Sequence, residues 1–148
     1  DHTVTVDATD NDGNAAAQKS TTFKVDTIPP TLNVTSPTEG MITSTQSLTV
    51  SGTTNDATSS PVTVKISLNG TDQGAVTIGG DGAFSKAVTL KEGANVIVVT
   101  ATDAAGKSSS VTRNVTLDTS VPQIVSATIT PNPVDAGQTM LISVEVSG

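Results

Sequence analysis

The stretch that decides the fold is DGAFSKAVTLKEGANVIVVTATDAAGKSSSVTRNVTLDT, residues 81–119 of a chain of 148 residues. Apolar side chains occupy alternate positions in three of its segments, 83–90, 95–102 and 108–118. A period of two residues is that of a β-strand, in which successive side chains point to opposite faces. Turn-forming Gly93 and Gly106 lie between the segments. The stretch is therefore predicted to form three antiparallel strands.

The same alternation continues towards the amino terminus, in segments 31–35, 46–52, 62–69 and 74–78. Together with the first three they are predicted to be strands A to G of an all-β fold, a seven-stranded Ig-like antiparallel β-sandwich. The side chains predicted to point inwards and form its core are Leu32, Leu48, Val50, Val64, Ile66, Phe84, Val88, Leu90, Ile97, Val99, Ala101, Val115 and Leu117.

The chain also repeats itself. Residues 4–30 realign on residues 97–122, and the SLTVSG of 47–52 recurs as SVEVSG at 143–148, so the offset is about one sandwich domain. We therefore predict one complete domain at 28–119. Residues 1–27 are predicted to be the C-terminal strands F and G of a preceding repeat, and residues 120–148 the N-terminal strands A and B of a following one.

The run 81–119 resembles the second half of bacterial Ig-like domains. In that family a strand with a central aromatic residue, here Phe84, leads into a VTATDAAG strand, here 99–106, and a last strand ends in Asp-Thr shortly before proline. A departure is Lys107, where such repeats commonly carry Asn, as Asn14 does in the first copy. The family occurs in tandem in secreted and surface-attached proteins, including adhesins, glycanases and phage tail proteins. The resemblance implies an extracellular, non-enzymatic module.

Composition argues against several other functions. The chain has 14 acidic and 7 basic residues and a net charge of -7, so no nucleic-acid partner is expected, because phosphate contacts need Lys and Arg. The apolar run 96–99 is far shorter than the roughly 20 residues of a membrane span. Without Cys, and with His2 as its one His, the chain offers no thiol nucleophile and no Ser-His-Asp triad, so it is not expected to be an enzyme.

Carbohydrate binding is not expected either. The chain has no Trp and no Tyr, and both of its Phe residues, Phe23 and Phe84, fall on inward-facing positions. Sugar-binding sandwiches usually present exposed aromatic platforms to the sugar faces, and these side chains are not available for that purpose.

Acidic residues are predicted to meet where one repeat joins the next. In the antiparallel order, the B–C loop 53–61, the D–E loop 79–82 and the F–G turn 103–107 share the end of the sandwich that faces the preceding repeat. Four carboxylates then approach one another: Asp26, Asp56, Asp81 and Asp103. Like charges repel unless a cation separates them, so one hypothesis is a Ca²⁺ site and the other is a solvated acidic rim.

A second hypothetical calcium loop is the sequence DNDGN at 10–14. Asp10, Asp12 and Asn14 offer oxygen ligands at alternate positions. The loop departs from the helix-loop-helix calcium pattern because Gly13 comes too early and no Glu closes it. The alternative is a polar β-turn that uses these residues for their backbone geometry.

The leading functional prediction is a stiff spacer on a bacterial cell or virion surface that presents other modules. In the first alternative the chain is a self-assembling fibre subunit. Residues 1–27 and 120–148 would then complete the sandwiches of identical chains instead of contacting neighbouring repeats. In the second, the B–C loop Thr53–Pro61 makes the domain a ligand-binding adhesin module. No cofactor is required, and calcium at the junction is the one ion considered.

Overall fold

The computed structural model describes residues 1–56, 58–130 and 135–147. Every regular element in those ranges is a strand, which confirms the prediction of an all-β fold. No described segment is a long apolar helix of the kind that crosses a membrane. The strands are β1 His2–Val6, β2 Lys19–Phe23, β3 Thr31–Ser36, β4 Met41–Thr43, β5 Ser47–Asn55, β6 Thr63–Leu68, β7 Thr71–Asp72, β8 Ala83–Thr89, β9 Gly93–Thr102, β10 Ser108–Leu117, β11 Gln123–Thr130 and β12 Leu141–Ser147.

Two sheets form a central β-sandwich. One has three strands in the order β3-β5-β8, and the other has five in the order β4-β10-β9-β6-β7. All neighbours are antiparallel except β4 and β10, which run parallel. Alternate residues of the long strands point inwards, so one apolar core fills the space between the sheets. It consists of Val34, Leu48, Val50, Val64, Ile66, Leu68, Phe84, Val88, Leu90, Ile97, Val99, Ala101, Val115 and Leu117.

The central sandwich differs from the predicted seven strands in three places. The predicted strand D at 74–78 does not form: its one bridge joins Ile78 to Phe84 at the edge of the three-stranded sheet, and the two-residue strand β7 before it pairs with β6 at the edge of the other sheet. The predicted A–B loop contains β4, which pairs with the end of β10. In the core, Leu32 is only partly buried, and Val34, two residues further along the same face, is buried instead.

The segments before and after the sandwich form one hairpin each, β1–β2 and β11–β12. Every described residue in these four strands is exposed. Val4 is 49% exposed although its counterpart Ile97 is fully buried, and Phe23, predicted to face inwards, is 48% exposed. The described residues therefore leave the apolar side chains of both hairpins uncovered. Gly148, which ends the repeated SVEVSG motif, lies outside them.

Candidate functional site

Three aspartates meet at the end of the sandwich where the first hairpin joins it. Asp26 follows β2, Asp56 follows β5, and Asp103 follows β9. One carboxylate oxygen from each lies within 4.8 Å of the other two. We call these three residues the junction cluster. They are among the four acids that the strand directions predicted to lie together.

Asp103 is held by the turn between β9 and β10. Its backbone N–H donates to the Lys107 carbonyl at 3.0 Å, and its Oδ1 accepts a 2.8 Å bond from the Lys107 N–H. The turn is completed by Gly106, which has a φ of 82° that favours glycine. Asp103 is only 6% exposed, and its Oδ2 is buried with no hydrogen-bond partner among the described residues.

Asp56 is held by the residues that follow it. Its Oδ1 accepts bonds from the Thr58 N–H at 2.7 Å, the Thr58 hydroxyl at 2.8 Å and the Ser59 N–H at 2.9 Å. The bonds from Thr58 lower the pKa of the Asp56 carboxyl below its ordinary value, because they stabilise the charged form. Within the described part of the chain, its Oδ2 is also buried without a partner.

Asp26 reaches the cluster from the segment that links β2 to β3. Its Oδ1 accepts a bond from the Ile28 N–H at 3.0 Å, and its Oδ2 accepts one from the Thr58 hydroxyl at 3.1 Å. A few residues later, the buried Pro30 accepts a 2.6 Å bond from the Ser109 hydroxyl on β10. The link is therefore fastened to the sandwich before its proline pair and at the second proline of that pair.

Thr58 was not among the site residues predicted from the sequence, yet its hydroxyl lies between two members of the cluster. It has one proton, so it can donate to Asp26 or to Asp56 at a given moment, but not to both. The signal that could have identified it is the spacing Asp-x-Thr, which is typical of an aspartate-capped turn. The F–G turn is also tied to this loop, because the Ala104 N–H donates to the Ser59 carbonyl at 3.3 Å.

Asp81, the fourth acid predicted at this site, is not part of the cluster. It is exposed, and its Oδ1 accepts a 3.1 Å bond from the Ala83 N–H within its own turn. That turn closes on itself, since the Gly79 N–H donates to the Ala83 carbonyl at 2.8 Å. Sequence separation placed Asp81 at the correct end of the sandwich but could not give the direction of its side chain.

The 10–14 loop forms a polar turn that is closed by the Asp10 side chain, as in the alternative to a calcium loop. Asp10 Oδ1 accepts the N–H groups of Asp12 and Asn14 at 3.0 and 2.8 Å, and Asp10 Oδ2 accepts the Asn14 side-chain amide at 2.9 Å. These hydrogen bonds lower the pKa of Asp10, and the one from the Asn14 side chain has the largest effect. Both Asp10 oxygens and the Asn14 amide are thus engaged within the loop. The backbone pattern is that of the Asp103 turn, but Lys107 stands where Asn14 does.

A protein-family model described as glucodextranase, domain B, matches residues 30–119. The chain belongs to the glucodextranase domain B family. The matched range includes Asp56 and Asp103 but ends short of Asp26 on the amino-terminal side. The junction cluster therefore connects a glucodextranase B-type domain to the segment that precedes it.

Comparison with solved structures agrees with the fold of this family. The fibronectin(III)-like modules of Clostridium thermocellum CbhA match with a TM-score of 0.52 and 18% identity, over 77% of this chain and 60% of that one. This chain thus spans about three fifths of the length of the CbhA chain. An engineered protein matches with a TM-score of 0.45 and 23% identity, over 60% of this chain and 20% of its own. No curated protein matches.

Both matches are to Ig-like or fibronectin III-like modules, so they support an Ig-like β-sandwich fold for this chain, and glucodextranase domain B is an accessory domain of an enzyme. The single His of the chain, His2, stacks on Phe23 with ring centroids 5.4 Å apart, on the exposed first hairpin. The junction cluster contains carboxylates alone. Its chemistry is that of binding a cation, because carboxylate oxygens are the ligands of hard divalent ions.

Proposed function

We propose that this chain is a non-enzymatic spacer from an extracellular bacterial surface, secreted or phage-appendage protein, in which tandem Ig-like repeats hold other modules at a distance. The supporting observation is a turn that occurs twice. The turn after Asp10 and the turn after Asp103 share the bond from the aspartate N–H to the carbonyl four residues on, at 3.0 Å in both. This shared bond supports the interpretation of the first hairpin as a counterpart of β9 and β10.

The way the first hairpin joins the sandwich supports a stiff connection. Proline fixes the backbone φ angle and so restricts the conformations that the link can adopt. Here Pro29 and Pro30 follow Asp26, and both Asp26 and Pro30 accept hydrogen bonds from the sandwich. A link that is restrained at both ends transmits orientation from one unit to the next, which is what a spacer requires.

The surface suits an exposed rod. The net charge is -7, and threonine and serine side chains occupy many of the outward positions of the strands. Acidic net charge favours solubility and keeps neighbouring molecules apart. In a surface or secreted protein these properties would keep repeats extended and separate.

Small-angle X-ray scattering tests the proposal. The longest strands of the sandwich have ten residues and span about 33 Å at about 3.3 Å per residue, whereas the strands of the first and last hairpins have five and up to eight residues and span about 16 and 26 Å. Three units end to end therefore reach roughly 75–80 Å, whereas a compact 148-residue protein has a radius of gyration near 15 Å. We expect a monomer whose radius of gyration is about one and a half times that value, and a value near the compact limit would contradict the spacer.

A second candidate is the self-assembling fibre subunit, and the exposed apolar faces of the two hairpins favour it. Val6 is 61% exposed where its counterpart Val99 is fully buried, and Val146 is 61% exposed where Val50 is fully buried. Such faces are normally covered by the remaining strands of a sandwich. Either neighbouring repeats of the same chain or identical chains would supply the cover.

Light scattering across a concentration series separates the two candidates. A fibre subunit forms assemblies whose mass rises with concentration, and Val6→Asp together with Val146→Asp abolishes them. A spacer stays monomeric throughout. The adhesin alternative has less support, because part of its B–C loop is committed to internal bonds through Asp56 and Ser59. Residue 57 of that loop lies outside the described residues.

A further inference from the structure

We propose that the junction cluster is a calcium site, in which Asp26, Asp56 and Asp103 hold one Ca²⁺ that fixes the first hairpin to the sandwich. This goes beyond the spacer proposal, since a rod needs no ion. It also narrows the hypothesis drawn from the sequence, because the ligand set contains three of the four predicted acids.

The spacing of the three carboxylates fits one shared ion. Ca²⁺ binds oxygen at about 2.4 Å, so two of its ligands can be no more than about 4.8 Å apart. The three oxygens of the cluster lie within 4.8 Å of one another. They come from three irregular segments rather than from one loop, and calcium tolerates irregular ligand geometry better than magnesium does. Water would complete the six to eight ligands.

Burial supplies the second, independent observation. Asp103 is 6% exposed, and Oδ2 of both Asp103 and Asp56 is buried without a hydrogen-bond partner among the described residues. A buried carboxylate oxygen loses its water and normally regains a donor. Among the described residues no donor replaces the water at these two oxygens, and the cluster brings other carboxylates close to them. A divalent cation satisfies both oxygens and removes the repulsion between them.

The first hairpin contains a natural comparison. Asp10 occupies the same place in its turn as Asp103 does, but the Asn14 amide donates to its Oδ2 at 2.9 Å. At Asp103 the corresponding residue is Lys107, whose backbone N–H bonds Oδ1 and leaves Oδ2 available. The residue four positions after the aspartate thus decides whether Oδ2 is engaged within the turn or can serve an ion.

Calcium titration of the 148-residue chain by isothermal calorimetry tests the site, with CaCl₂ as the probe and MgCl₂ as the competitor. We expect one ion per chain, a dissociation constant on the order of 10⁻⁴ M, typical of extracellular calcium modules, and a higher melting temperature in CaCl₂ than in EDTA. Asp103→Asn is expected to abolish binding, whereas Asp81→Asn, in a neighbouring turn, leaves it unchanged.

Lys107→Asn provides the sharpest variant. It removes a positive charge near the ion, which alone would favour binding, but its amide would engage Asp103 Oδ2 as Asn14 engages Asp10. We expect binding about ten-fold weaker or worse. Lys107→Ala, which removes the same charge and adds no amide, should bind as tightly as the parent or more tightly.

Folding of these variants is checked by urea unfolding in EDTA, where Asp103→Asn should be at least as stable as the parent because a buried charge is gone. An absence of calcium binding in the parent chain overturns the proposal, as does equal binding by Lys107→Asn and Lys107→Ala. Either of these outcomes leaves the scattering test of the spacer unaffected.

Discussion

Asn95, a buried polar residue on β9, is predicted to stabilise the sandwich about as much as a typical apolar residue of its core does. It is 1% exposed, and its side chain makes four hydrogen bonds. Oδ1 accepts from the Lys91 N–H at 3.0 Å and from the Asn69 amide at 3.1 Å. Nδ2 donates to the carbonyls of Lys91 and Gly93 at 2.7 and 2.9 Å. The amide is therefore fully satisfied and fastens the turn before β9.

The expected cost of Asn95→Ala follows from those bonds. Each contributes about 1 kcal/mol net, and water can partly replace those to the exposed Lys91 and Asn69, so we expect a loss of about 3 kcal/mol. In a domain of this size that corresponds to a fall in melting temperature of roughly 12–24 °C. Urea unfolding followed by circular dichroism measures the loss, with the exposed Asn33→Ala as the control.

Asn95→Asp separates the hydrogen bonds from packing, because it preserves volume but replaces the two N–H donors with an oxygen. The new oxygen would face the carbonyls of Lys91 and Gly93, so at neutral pH we expect this variant to lose at least as much stability as Asn95→Ala. If Asn95→Asp unfolds at the same urea concentration as the parent, or Asn95→Ala costs less than about 1 kcal/mol, the hydrogen bonds do not have the role assigned to them.

Two further predictions concern a tight backbone approach and an exposed acid. Gly82 has a φ of 79°, and a Cβ there would lie 2.1 Å from the Thr54 carbonyl oxygen, so Gly82→Ala should cost at least about 2 kcal/mol in urea unfolding. Gly80→Ala, with no atom within 4 Å, should be nearly neutral. Two hydrogen bonds from Asn114 lower the pKa of Glu39, and the bond from its side chain has a larger effect than the bond from its backbone N–H. Because the pKa of Glu39 is lower in the folded state than in the unfolded state, its ionised carboxylate stabilises the fold at pH values above the unfolded pKa, and this contribution is lost as the pH falls through the folded pKa. The advantage of the parent over Glu39→Gln should therefore be present at pH 6 and decline as the pH falls below about 4. A pH-independent difference would contradict this.

The sequence predicted those strands that have one face packed against the apolar core. Alternation marked β6, β8, β9 and β10 because inward positions such as Ile66 and Val99 must be apolar while their neighbours contact water. It failed at the sheet edges. Segment 74–78 alternates as well, but a strand also needs a hydrogen-bonded partner, and the residues there find only one bridge. The three-residue β4 is too short to show any period.

Asn95 shows a different limit. Position 95 has the parity of the inward-facing Ile97 and Val99, but an asparagine there is expected to be exposed because its side chain is polar. Its burial is possible only because the turn before β9 presents an N–H and two carbonyls to it. Partners of this kind are set by the path of the backbone in three dimensions, so hydropathy alone cannot identify them.

For the junction cluster, strand directions were enough to bring the loops of Asp26, Asp56 and Asp103 to one end, because antiparallel order fixes the end at which each loop lies. Direction of the side chains was not predictable. Asp81 turns back to its own loop, whereas Asp26 bonds across to Thr58. Strand order therefore brought the loops of the cluster together, but it could not show that the Asp81 side chain points away from the other three acids.

Asp26 and Asp118 show how turn chemistry and ligand chemistry meet in the same residue. Each follows the last strand of its unit, and each Oδ1 accepts a 3.0 Å bond from the N–H two residues on, which belongs to Ile28 or Ser120. At both junctions the acid is therefore part of a turn that its own side chain stabilises. Asp118 accepts its second bond from the Ser120 hydroxyl, whereas Asp26 accepts one from Thr58 of the next unit. The loop that faces the aspartate therefore determines whether a turn residue can also become a ligand.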